Sequence, residues 1–181
     1  MKFIDTTKLF RTITAIALAI LFILLAAGCG GGGGGTPVTA KTLNAVLDGA
    51  QEIPSITSTA SGTATVMIDA ARTTVTVSMT TQGFTTPVTA SHIHSGAAGV
   101  NGGVMFSLFA GPGAFPATLT KTLTSADLDP AFAAAGNSFA DALTAILNGN
   151  TYINVHTSAN AGGEIRGQLI LPVTPQGITG Y

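Results

Sequence analysis

The sequence predicts an all-β fold, a β-sandwich or flattened barrel of about eight short strands with one short helix. Three observations predict it. From Thr42 onward, apolar and polar residues alternate in short runs, the period-2 signature of strands with one buried face. Those runs are rich in Thr and Val, whose β-branched side chains suit a pleated surface. Only one segment, following Ser138, places apolar residues at helical spacing.

The first stretch of chain is of another kind. Lys2, Lys8 and Arg11 precede an apolar run from Ile13 to Ala27 that is broken only by Thr14. A basic start, a run of this length and a small-residue site make residues 1–28 a secretory signal peptide. The run is shorter than the roughly 20 residues a spanning helix needs. It ends Leu25-Ala26-Ala27-Gly28-Cys29, which resembles the bacterial lipobox, with the leucine one place further upstream than usual. That resemblance implies a lipid on Cys29 as the first mature residue, and hence an exported protein anchored to a membrane of the cell envelope. Residues 29–41 then form a linker, with Gly30 to Gly35 as a tether that behaves as a flexible coil.

The strands follow in order. Leu43, Ala45 and Leu47 form one apolar face; Gly62, Ala64, Val66 and Ile68 form the next. A turn over residues 70–73 leads to Val75, Val77 and Met79, so 66–80 reads as a hairpin. Further strands are expected over 89–94, 104–109, 117–124, 151–157 and 164–171. The helix starts at Ser138, whose spacing to Asp141 makes a capping box. It buries Phe139, Leu143, Ile146 and Leu147, and stops at Gly149. The β domain therefore spans 42–171, with 172–181 as a tail.

Composition narrows the function. The full chain carries a net charge of -1, and only 8% of its residues are charged. Without the signal, Lys41, Arg72, Lys121 and Arg166 stand against seven carboxylates. No basic surface for nucleic acid can be built from that set. The single cysteine rules out an internal disulfide and a Cys-rich zinc module. No Gly-x-Ser-x-Gly elbow is present, and Gly111-Pro112-Gly113 lacks the Lys and hydroxyl of a phosphate loop.

The informative residues are the rare polar ones. His92 and His94 are two apart on a predicted strand, so they share a face, with Cα atoms roughly 6.5–7 Å apart. Ile153 and Val155 turn to the core, which sends Tyr152, Asn154 and His156 the other way. Ile165 and Leu169 do the same for Glu164, Arg166 and Gln168. If these strands are neighbours, the three histidines converge on one candidate metal site. Imidazole ligands suit copper or zinc, and no acidic cluster exists for calcium. The Gly-rich loop 96–103 is placed to cover the pair, and Glu164 with Arg166 reads as an ion pair or a clamp on a loop.

Four ordered motifs carry a family resemblance. Leu47-Asp48-Gly49-Ala50-Gln51-Glu52-Ile53-Pro54, His92-Ile93-His94 with Gly96, Asn154-Val155-His156-Thr157 and Gly163-Glu164-Ile165-Arg166-Gly167-Gln168 resemble the CHRD domain of chordin and of secreted bacterial proteins. The resemblance implies an immunoglobulin-like β-barrel with a limited similarity to copper–zinc superoxide dismutases. Against that second family, His92, His94 and His156 match copper ligands, and Arg166 resembles the arginine that guides superoxide. No histidine lies between Ser95 and Thr151, so the bridging and zinc ligands are missing, and dismutase activity is not expected. Two functions stay open: a non-catalytic binding module on a lipid tether, with a protein or cell-surface polymer as partner, and a mononuclear copper site on His92, His94 and His156.

Overall fold

The computed structural model describes residues 38–172 apart from Pro112. The signal segment, Cys29, the glycine run and residues 173–181 lie outside the described residues. Eight strands run in order: β1 (Lys41–Leu47), β2 (Ser61–Ile68), β3 (Val75–Gln82), β4 (Val88–Ser95), β5 (Val104–Ala110), β6 (Thr118–Leu123), β7 (Thr151–Thr157) and β8 (Ile165–Gln168). They form two antiparallel four-stranded sheets, β1-β2-β3-β6 and β5-β4-β7-β8. Each strand lies within two or three residues of its expected bounds.

The alternating pattern decides the packing. Leu43, Leu47, Val66, Ile68, Val75 and Val77 of the first sheet are fully buried, as are Ile93, Phe106, Ile153, Val155 and Ile165 of the second. Burying an aliphatic side chain of this size contributes about 1.5–3 kcal/mol each, which is why the period-2 pattern fixes the register. The hairpin β2–β3 pairs Ile68 with Val75 across its turn. There Asp69 accepts from the Thr73 and Thr74 amides at 2.8 and 2.7 Å.

The structure chooses the sandwich over the barrel. The sheets meet at one seam, where paired backbone bonds link β1 and the residue after it to β8 and the segment after it: Asn44 with Ile170 at 2.9 and 3.0 Å, and Asp48 with Arg166 at 3.1 and 3.0 Å. Among the described residues β5 and β6 remain the outer strands of their sheets. The connection from β6 to β7 carries α1 (Pro130–Ala134) and α2 (Phe139–Leu147). Helix α2 starts at the expected capping box, with the Ser138 and Asp141 side chains bonding each other's amides. Helix α1 is an addition to the expected elements; Asp129 caps it through the Ala131 and Phe132 amides, and Pro130 sits where its missing N–H costs nothing.

Candidate metal centre

Strands β4, β7 and β8 are consecutive in the second sheet, so the three sets of polar residues do lie side by side. His92 pairs with Asn154 and Ala90 with His156 across β4 and β7, while Asn154 pairs with Arg166 across β7 and β8. Register shifts in the β4–β5 ladder fall between Ser91 and His92 and between Ile93 and His94. Such irregularities re-aim side chains, and here one directly precedes each histidine of the pair.

One ligating nitrogen from each of His92, His94 and His156 lies within 4.8 Å of the other two. His92 Nδ1 and His156 Nε2 are 3.2 Å apart. Two nitrogens bound at 2.0–2.1 Å in a tetrahedral site stand about 3.3 Å apart, so this pair already has the spacing of shared ligands. The tautomers of two rings are fixed by carbonyls, which can only accept. His94 Nδ1 donates to Gly102 O and His156 Nδ1 donates to Ala161 O, both at 3.0 Å. Each of these rings therefore presents Nε2 as a lone pair. His94 Nε2 is buried with no hydrogen-bond partner, the state expected of a nitrogen held for an ion.

The electrostatics agree. Burial pushes the His92 imidazole down to about 4, aided by the neighbouring His156 and His94 and opposed by Asp129. His94 and His156 are also lowered, again chiefly by burial, with their carbonyl partners opposing. All three rings are thus neutral at pH 7, the form that coordinates metal.

The face that carries them differs from the sequence expectation in one respect. Asn154, Glu164 and Arg166 point away from the sandwich core but are buried, with Arg166 only 2% exposed, because loops 49–56, 96–103 and 158–163 cover them. Arg166 is the loop clamp. Its guanidinium donates to Asn101 Oδ1 at 2.9 Å, Val100 O at 2.9 Å and Ala97 O at 3.3 Å, and lies 3.4 Å over the Tyr152 ring. Tyr152 in turn stacks on His94, with ring centroids 5.0 Å apart and planes 6° from parallel. Its hydroxyl accepts from the Gly102 amide at 3.1 Å. Gly102 has no room for a side chain, since a Cβ there would stand 1.5 Å from Ser95 O. The loop's close approach to β4 is therefore what delivers the carbonyl that orients His94. Gln168, half-buried, donates to Gly96 O and Gly149 O.

Glu164 makes no pair with Arg166; it accepts from Ser58 and Thr157 hydroxyls instead. The carboxylate beside Arg166 is Glu52, which in the sequence stands out only as part of a motif. Asn154 Nδ2 donates to Glu52 Oε2 at 3.3 Å. Glu52 Oε1 and Asn154 Oδ1 are both buried without partners, and both lie within 2.7 Å of where a Gly163 Cβ would stand. Two acceptors facing one gap are satisfied if Glu52 carries a proton, giving a cyclic acid–amide pair with Asn154. In agreement, burial pushes Glu52 up to about 7, against the lowering pull of Arg166 and Asn154.

The fold and site together define a two-layer β-sandwich domain that carries a loop-covered triad of imidazoles on one sheet. The chain is more specifically placed by its sequence: residues 43–169 match the CHRD domain, and the protein belongs to that family. No curated protein and no solved structure matches it.

Proposed function

We propose that this CHRD-domain protein binds one copper ion through His92 Nδ1, His94 Nε2 and His156 Nε2, and does so at the cell envelope, anchored by lipid on Cys29. The observation that carries the reading is the triad itself: three nitrogens within 4.8 Å, two of them set as lone pairs by carbonyl acceptors. In the free chain, His92 Nδ1–H donates to His156 Nε2, and an ion takes the place of that proton. Three imidazoles leave a fourth position open, and imidazole sites hold copper more tightly than zinc. Arg166 is engaged by three oxygens and a ring, so it serves the loop rather than an incoming anion.

Titration of the purified chain with copper and zinc tests this. One equivalent of copper should bind, and His156→Ala should abolish it while the fold persists. Failure to bind a stoichiometric ion leaves the non-catalytic binding module as the function. The anchor is tested separately, since Cys29→Ser should move the protein from membrane to soluble fractions.

A further inference from the structure

The outer face of the first sheet is an ordered grid of hydroxyls. Its middle row, read across the strands, is Asn44, Thr65, Ser78 and Thr120, all exposed and each paired with the next across the β1–β2, β2–β3 and β3–β6 ladders. The row on one side continues with Thr63, Thr80 and Thr118. On the other, the row runs Thr42, Met67, Thr76 and Thr122. Strand spacing sets the grid at about 4.7–4.9 Å across and roughly 6.6–6.8 Å along. No charged side chain falls at any of these positions.

Two further features belong to the same face. The hydroxyls hold each other in place: Thr76 to Thr122 at 3.3 Å, Thr80 to Thr118 at 3.4 Å and Thr65 to Asn44 at 3.3 Å. Each keeps a spare donor or acceptor. At one end, a concavity of about 350 Å³ is lined by Val46, Gly62, Thr63 and Thr80, with Gln82 at its rim. Val46 is 64% exposed and Met67 45%, so apolar patches stand among the hydroxyls.

The geometry points to a docking surface for a neutral polysaccharide, seated on the grid with a sugar in the concavity beside Gly62. An uncharged face has no complement for an acidic or basic polymer, whose desolvated charges would go unpaired. A neutral glycan offers what this face lacks a partner for: hydroxyls that both donate and accept, and ring C–H faces for Val46 and Met67. A chain crossing the strands follows one row and meets a side chain of it about every 4.7–4.9 Å. This site lies on the opposite sheet from the histidines and stands or falls independently of them.

Co-sedimentation of the purified chain with microcrystalline cellulose is the test, with sulfated dextran beads as the charged comparison. Binding to cellulose is expected, and it should survive salt that screens surface charges to about 3 Å. The Thr65→Lys, Thr120→Lys double variant should lose at least about tenfold in affinity, equivalent to about 1.4 kcal/mol, while His156→Ala binds as the parent does. Ser78→Glu, in the same row, gives a second reading if the double variant does not fold. No binding to cellulose, salt-sensitive capture by sulfated dextran, or full binding by the row variants each overturns the proposal.

Discussion

Replacing Glu52 with glutamine should stabilise the protein at high pH and leave it unchanged at low pH. The amide keeps the shape of the protonated acid: its nitrogen can donate to Asn154 Oδ1 while its oxygen accepts from Asn154 Nδ2. The parent carboxyl is raised from 4.5 to about 7 by folding. The folded chain therefore holds the proton more tightly than the unfolded one, so the contribution of Glu52 to stability is lost as pH rises from 4.5 through 7. The gap between those two values corresponds to roughly 3 kcal/mol at most. Glu52 is only 7% exposed, yet clefts of about 290 and 280 Å³ reach it from both sides, so solvent polarisation reduces the effect to about 2 kcal/mol. Urea denaturation of metal-free wild type and E52Q at pH 4 and pH 8 measures it. The difference between the two proteins isolates Glu52 from the histidines. Equal stabilities at pH 8, or a glutamine variant that is weaker there, would refute the acid–amide pair.

Other consequences are equally direct. Arg166→Met should cost about 3–5 kcal/mol in urea denaturation, because it strips the donors from three oxygens of the covering loop. Gly102→Ala should displace loop 96–103 from Ser95 and lower copper affinity about 10–100-fold, as loss of an outer partner of a ligating histidine does. The contribution of His92 to the stability of the metal-free protein should be lost as pH falls from 6.5 toward 4, since a lowered histidine must take up a proton on unfolding; the difference between the thermal melts of wild type and a His92→Gln variant, followed across that range, reads it. Ile153→Ala, at the centre of the second sheet's buried face, should cost about 2–5 kcal/mol, read from the same urea curves.

The strands were legible because each is half-buried, so alternation exposes its inner face: Ile93 between two histidines and Ile153 with Val155 point inward as the pattern requires. The capping box at Ser138 marked the start of α2 for the same local reason. Helix α1 has no apolar periodicity to announce it; only Asp129-Pro130 does, a capping residue followed by a proline suited to the first turn. The convergence of His92, His94 and His156 followed from parity once β4 and β7 became neighbours, but parity cannot reveal what lies above a face. Loops brought from 49–56, 96–103 and 158–163 buried Arg166 and Asn154 and carried Glu52 against them. The contact of Glu52 with Asn154 joins residues 102 apart in the chain, beyond the reach of any local pattern.

The seam between β1 and β8 has a topological consequence. Asn44 lies directly against Ile170, so the first strand of the domain and its last residues travel side by side in opposite directions. Chain enters and leaves the fold at one corner. A unit with adjoining ends can be spliced into a surface loop of another protein or strung in tandem without unpicking its sheets, and its ends can be joined and reopened elsewhere. For the engineer, this makes the domain a portable cassette, with the histidine face and the hydroxyl face left free on either side.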